Sequence, residues 1–410
     1  MRYLSSKSRY IAACTLVVVM VMLAVTTACG NQKETKADVY SDREIIKQLQ
    51  ELKKPDYWPT EQWKSSTPEA QGMDSTALAD VMKQVPGNNI HSLVLVRNGY
   101  ILAEGYNADA SPDVAQDILS ATKSLTSALT GIAIDESKLK GVSQKLSEVL
   151  PQAVAASPDK GALTIENLLT MTSGLKWDNE GERSSNEMVD SNDWVKYILD
   201  QPVVGKMGKD FNYSNGNAHL MSAILQKAVN MPTAKYAEQK LFAPLGIKDV
   251  EWYADPQNID IGAFSVHMKA RDLAKIGYLY LHNGLWDKQQ VISTKWIEAT
   301  LKKHDDQEFA DGSLGSYGYF WWLKNIESKG TANRINMFYA AGSGGQRIYV
   351  LPKQNLIAVF TASTANSFVT ESLLEKIVGA IRSDSPLPTN TDGVNNLNAV
   401  MASFKQMKDK

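Results

Sequence analysis

Cysteine is nearly missing from this chain. Of 410 residues only Cys14 and Cys29 carry a thiol, and both precede Gly30. The rest of the chain therefore has no disulfide staple, no thiolate cage for a metal and no cysteine nucleophile. Histidine is scarce too: His91, His219, His267, His282 and His304 are scattered without metal-ligand spacing, so no metal site and no cofactor are expected. No charge of one sign prevails, since 43 Lys and Arg stand against 45 Asp and Glu for a formal net charge of -2. Without a basic field to grip a phosphate backbone, nucleic acid is not an expected partner. No fixed-period repeat is visible.

A long apolar run does occur, at 11–25, behind Arg2, Lys7 and Arg9, and the small residues Thr26, Thr27 and Ala28 lead from it into Cys29. That layout predicts a secretory leader over 1–28, the run being shorter than the ~20 residues of a comfortable membrane span. The Thr-Thr-Ala-Cys ending resembles a bacterial lipobox, with Thr26 where Leu is usual, and implies a lipid on Cys29 and a protein tethered outside the cytoplasm. An uncleaved anchor helix is the alternative. Residues 29–60, polar around Gln32-Lys33-Glu34-Thr35-Lys36, are expected as a spacer, and 384–410 as a polar tail.

Between them, 61–383 reads as one α+β domain: an antiparallel sheet flanked by helices, with an inserted, mainly helical lobe at about 119–250. The segment 91–106 alternates apolar and polar residues around Asn98-Gly99, the strongest short hairpin signal, because a type I′ turn needs positive φ at both central positions. Leu125, Ala128, Leu129, Ile132 and Ala133 then follow at helical spacing. Further helices are expected at 165–172, stopped by Gly174, and at 218–228. Short apolar stretches at 337–341, 346–351 and 356–361 predict a late antiparallel meander. Leu373, Leu374, Ile377 and Ile381 mark a closing helix.

A serine hydroxyl needs a base within hydrogen-bond reach to act as a nucleophile, and a lysine serves if burial lowers its pKa. Three residues apart on a helix, the two share one face. The Ser-x-x-Lys pattern occurs four times, at Ser120, Ser137, Ser157 and Ser173. Only Ser120, with Lys123, follows a hairpin and opens an apolar-faced helix, where free N–H groups and the positive dipole end favour a developing anion. Tyr213-Ser214-Asn215 is the other candidate element. A phenol near an ammonium gives up its proton more easily and relays protons, and an asparagine two positions on bonds both the lysine and a substrate amide. A surface tyrosine capping the next helix is the bland reading of the same triplet.

Ser120-Ala-Thr-Lys-Ser-Leu-Thr-Ser127, Leu169-Thr-Met-Thr-Ser-Gly-Leu175 and Phe211-Asn-Tyr-Ser-Asn215 together resemble the large β-lactamase-related serine hydrolase family. That family takes in class C β-lactamases, D-alanyl-D-alanine peptidases, carboxylesterases and 6-aminohexanoate-oligomer amidases. The stretches from Arg271 to Gly277 and from Tyr317 to Trp322 look like its esterase and amidase branch. The resemblance, over about 61–383, implies a β-lactamase/penicillin-binding-protein-like fold and a covalent acyl-enzyme. It assigns Ser120, Lys123, Tyr213 and Asn215 to catalysis and the backbone N–H groups of Ser120 and Gln346 to an oxyanion hole. Ser343, Gly344 and Gly345 match the family's third motif, with Ser343 where a cation is usual; a tight turn explains these glycines equally well.

The missing cation favours a small ester or amide substrate over β-lactams and D-alanyl-D-alanine peptides, which present a carboxylate; Arg347 is the candidate substitute. Those two substrate classes remain alternatives, as does a penicillin-binding-like lipoprotein that holds cell-wall peptide without turnover. An α/β-hydrolase elbow at 341–345 fails, because no histidine follows His304.

Overall fold

At Asn98-Gly99 the chain reverses with φ of 52° and 84°, the left-handed pair that a type I′ turn requires and these two residues tolerate. Strands β1 (Ile90–Arg97) and β2 (Tyr100–Tyr106) leave that turn as an antiparallel pair. The computed structural model describes residues 40–308, 314–327, 334–366 and 368–407; the expected leader and Cys29 lie outside them. Six later strands complete the main sheet: β3 (Asp305–Glu308), β4 (Leu314–Tyr317), β5 (Trp322–Glu327), β6 (Arg334–Gly342), β7 (Gln346–Leu351) and β8 (Leu356–Ala362). Their order is β2-β1-β8-β7-β6-β5-β4-β3. The first and last strands pair directly, Leu93 opposite Phe360 and Val94 opposite Val359.

Alternation along these strands feeds two cores. Val94, Val96, Ile357 and Val359 face one cluster, and Leu93, Leu95, Leu356 and Phe360 face the other. The principal helices are α1 (Asp42–Glu51), α2 (Ser75–Met82), α3 (Thr122–Asp135), α4 (Arg183–Asp190), α5 (Asn215–Val229), α6 (Ala270–Leu281), α7 (Val369–Val378) and α8 (Thr391–Ser403). Leu125 and Leu129 of α3, Leu220 and Ile224 of α5 and Leu273 of α6 fill the first cluster. Leu78 of α2, Leu374 of α7 and Leu397 of α8 fill the second. Both faces of the sheet are thus covered by helices, and α3 is central enough to be buried almost along its whole length.

The two segments expected as spacer and tail carry packed helices instead. Within 29–60, α1 is capped by the Ser41 side chain and buries Ile45 and Leu49, while the Tyr40 hydroxyl donates to the Leu301 carbonyl at 3.0 Å. Within 384–410, α8 is capped by Asn390 and buries Leu397 and Met401, with Phe404 beyond its end. Gly105 of β2 makes room for that end: a Cβ there would lie 2.5 Å from Phe404 Cδ2. In both helices a few apolar residues at i, i+4 spacing are diluted among polar ones, so composition gives a misleading reading where periodicity does not.

Candidate active site

Ser120 sits in a single 3-10 turn, Leu119–Ala121, immediately before α3. That turn is held on three sides. The Ile118 N–H donates to the Val266 carbonyl at 2.9 Å, the Leu119 N–H to Asp117 Oδ1 at 2.8 Å and the Ala121 N–H to the Ile118 carbonyl at 3.1 Å. Leu119 has φ 48°, a left-handed conformation that is strained for a residue with a branched side chain; the Asp117 carboxylate is what fastens it. The Ile118 carbonyl lies against Gly342 so closely that a Cβ there would come within 2.3 Å, which seats the turn on the end of β6.

One turn into α3, Lys123 is 1% exposed. Its Nζ lies 2.9 Å from Ser120 Oγ, 2.7 Å from Asn215 Oδ1 and 2.8 Å from the Ala263 carbonyl, and 4.8 Å from the centre of the Tyr213 ring. Burial lowers the Lys123 pKa to about 7, against an opposing pull from the Glu182 charge. A neutral amine has two N–H groups and one lone pair. Asn215 Oδ1 and the Ala263 carbonyl are pure acceptors and take the two hydrogens, which leaves the lone pair for the Ser120 hydroxyl.

Tyr213 and Asn215 straddle the start of α5, and Ser214 between them is the cap, its hydroxyl accepting from the Asn217 N–H at 3.2 Å. The cap is therefore not Tyr213. The segment 169–175 explains how the triplet is held: Met171, at φ 60°, accepts from the Asn212 N–H at its carbonyl (2.8 Å) and from the Ser214 N–H at its sulfur (3.3 Å). The Tyr213 ring stacks on Trp322 at 5.8 Å and 21°. The expectation that the ammonium would ease the phenol's ionisation fails. Burial pushes Tyr213 up to about 12, and its hydrogen bond with Ser120 pulls the other way without prevailing. The phenol is protonated at neutral pH and is a proton donor there.

The rival serines are occupied elsewhere. Ser157 caps a short helix through the Lys160 N–H, while the Lys160 ammonium donates to the Leu199 carbonyl at 2.5 Å. Ser173 is buried and accepts from the Leu175 N–H, and Ser137 is exposed beyond the end of α3.

Ser343, Gly344 and Gly345 form one tight turn between β6 and β7, with φ of 70° and 98° at the two glycines and Ser343 exposed. The Gln346 side chain is buried and clasps the end of β8, accepting from the Ala362 N–H and donating to the Ala362 carbonyl. A cation does stand at this turn: Arg347 donates to the carbonyls of Gly342 at 2.7 Å and Gln346 at 2.8 Å, and its charge acts on the Tyr213 phenol.

Two residues that sequence reasoning did not single out complete the site. Asn215 Nδ2 donates to Ser185 Oγ at 2.9 Å, and Ser185 Oγ donates to Glu182 Oε2 at 2.9 Å. Glu182 caps α4 at the end of a 3-10 turn and Ser185 lies in the first turn of α4, and no local pattern discloses that this helix start meets Asn215.

The family described as Beta-lactamase matches residues 75–378 of the chain. The 6-aminohexanoate-dimer hydrolase of Paenarthrobacter ureafaciens is 22% identical over 310 residues, 70% of this chain and 76% of that protein. Among solved structures, EstCE1, a hydrolase with promiscuous acyltransferase activity, aligns at TM-score 0.61 and 16% identity over 75% of this chain and 99% of its own. A penicillin-binding protein homologue from Caulobacter crescentus aligns at TM-score 0.59 and 16% identity, over 75% and 96%. The fold is that of β-lactamases and penicillin-binding proteins.

Proposed function

Because the chain belongs to the β-lactamase family of hydrolases, we propose that it is a serine hydrolase working through a covalent acyl-enzyme on Ser120. The observation that carries this reading is the 2.9 Å contact between Ser120 Oγ and a lysine amine whose burial brings it to about 7. Lys123 accepts the hydroxyl proton as Oγ attacks a carbonyl carbon. The oxyanion that forms is held by the backbone N–H groups of Ser120 and Gln346. The protonated Tyr213 phenol gives its proton to the departing alcohol or amine and is reprotonated through Lys123, while Asn215 holds the lysine and a substrate amide. Water then attacks the acyl group and releases Ser120.

The substrate proposed is a small ester or amide that needs no carboxylate. Ser343 carries no charge, and Tyr213, Trp322 and Phe211 place half-buried aromatic surface beside the nucleophile. One observation favours a second reading, in which the substrate is a β-lactam or a D-alanyl-D-alanine peptide: the Arg347 guanidinium lies at the Ser343 turn. Steady-state assays separate the two. Short-chain nitrophenyl esters should be turned over by the wild type and not by Ser120→Ala, with nitrocefin slow or inert; rapid nitrocefin hydrolysis would establish the second reading. Absence of ester and nitrocefin turnover alike would favour a binder of cell-wall peptide.

Export is part of the same proposal: a leader over 1–28 and a lipid on Cys29 would hold the enzyme at the outer face of the cell membrane.

A further inference from the structure

We propose that Glu182 and Ser185 are positioning residues that fix the direction of hydrogen bonding at Lys123, so that its lone pair rather than an N–H faces the Ser120 hydroxyl. This rests on the reading of Lys123 as the base. The chain of contacts is continuous: Glu182 Oε2 to Ser185 Oγ 2.9 Å, Ser185 Oγ to Asn215 Nδ2 2.9 Å, Asn215 Oδ1 to Lys123 Nζ 2.7 Å, Lys123 Nζ to Ser120 Oγ 2.9 Å.

Polarity propagates along it from the carboxylate. An ionised glutamate only accepts, so the single hydroxyl proton of Ser185 goes to Glu182. The Ser185 oxygen is then left as an acceptor, which selects the NH2 side of the Asn215 amide. The amide's other end, its oxygen, must face Lys123 and takes one amine hydrogen; the Ala263 carbonyl takes the other at 2.8 Å. If Ser185 donated to Asn215 instead, the amide would turn its NH2 to Lys123. The amine's lone pair would be spent there, and Ser120 would meet an N–H that cannot remove its proton.

The backbone at Glu182 is left-handed, as it is at Leu119 and Met171 beside the same site. Gly181 and Glu182 both have left-handed φ, 57° and 55°, and a non-glycine residue held there is uncommon and found at functional sites. That conformation leads straight into α4, whose Ser185 is 7% exposed. The groups facing Lys123 are Ser120, Asn215, the Ala263 carbonyl, the Tyr213 ring and the Glu182 charge, with Arg347 acting on Tyr213. Next to Glu182, Arg183 is engaged by Asp178 and Glu180.

The test follows fluorophosphonate labelling rates of the full-length protein against pH, with Ser120→Ala as control. Glu182→Gln removes a charge that holds the lysine's proton on, so the ascending limb should move to lower pH by about half a unit or more, and the plateau rate should fall about tenfold because an amide no longer dictates polarity. Ser185→Ala should cost about tenfold or more, and Ser185→Thr, which keeps the hydroxyl, should return to within about threefold of wild type. Wild-type rates and an unmoved midpoint in Glu182→Gln and Ser185→Ala, or no rescue by Ser185→Thr in a folded protein, would overturn the proposal.

A second readout needs no turnover. The Lys123 titration is followed by carbon NMR of lysine-labelled full-length protein, assigned by loss of the signal in Lys123→Met. If the wild type fails to label at Ser120 while Glu182→Gln still lowers the lysine midpoint and Ser185→Ala perturbs it, the positioning chain stands and the hydrolase reading falls. If Ser120 labels but the lysine is indifferent to both substitutions, the reverse holds.

Discussion

Lys123 is a charged residue type in an almost fully buried position, and its surroundings say which protonation state belongs there. Three oxygens surround the amine and burial sets its midpoint near 7, so about half is neutral at pH 7. Acylation should therefore rise with pH through about 7 and stay level beyond, since the Tyr213 phenol ionises only near 12. Lys123→Met should lower the acylation rate by about two orders of magnitude or more with the fold intact; burst kinetics with a nitrophenyl ester check both. The same lysine makes stability depend on pH. Above about 7 the native amine is neutral, whereas the unfolded chain keeps its proton up to the ordinary lysine value, so the unfolded state binds more protons in that window. Raising the pH from about 7.5 to about 9.5 should favour wild type over Lys123→Met by up to ~1.4 kcal/mol per unit, read from urea melts; parallel curves would contradict the burial argument. Asp117→Ala should orphan the Leu119 N–H and loosen the Ser120 turn, costing about 1–3 kcal/mol together with slower labelling.

Elements differ in how openly their sequences announce them. The β1–β2 hairpin and α3 are legible because their signals are local: Asn98-Gly99 demands its turn, and Leu125, Ala128, Leu129 and Ile132 repeat within a few residues. On that neighbourhood alone Ser120 stands apart from the other three Ser-x-x-Lys serines, and its hydroxyl lies 2.9 Å from the Lys123 amine. Helices α1 and α8 are not legible from composition, because Ile45 and Leu49, or Leu397 and Met401, are sparse apolar points in polar stretches; only their i, i+4 spacing marks them, and what they pack on lies far away in sequence. Strand β3, Asp305-Asp-Gln-Glu, is polar because it sits at the edge of the sheet. The link from Asn215 to Ser185 spans 30 residues, and no periodicity encodes a contact of that range. The packing of the C-terminal segment predicts a measurable cost. Phe404 is 1% exposed against Gly105, so Phe404→Ala should destabilise by about 3–5 kcal/mol in chemical denaturation, where a dispensable tail would lose nothing.

At the scale of the whole molecule, the site is assembled from both parts of the fold. The turn at Gly342, Gln346 and Arg347 comes from the sheet, and Lys123, Tyr213, Asn215, Ser185 and Glu182 come from helices inserted between its first and last strands. Glu182 and Ser185 open α4, and Tyr213 precedes α5, so the proposed acid-base groups depend on how well the helical region is held against β6 and β7. For the intact cell the proposal predicts that Cys29→Ser moves the protein out of the membrane fraction and abolishes incorporation of a labelled fatty acid, whereas a retained anchor helix would leave its fractionation unchanged. The proposed reaction passes through a covalent bond between the substrate carbonyl carbon and one hydroxyl oxygen. Its most direct measurement is intact-mass and peptide analysis of the full-length protein quenched during turnover of a slow nitrophenyl ester. One acyl adduct per chain is expected, on the peptide bearing Ser120, formed at least about a hundredfold more slowly in Lys123→Met. An adduct on another residue, or steady ester turnover with no adduct and undiminished by Ser120→Ala, would contradict it.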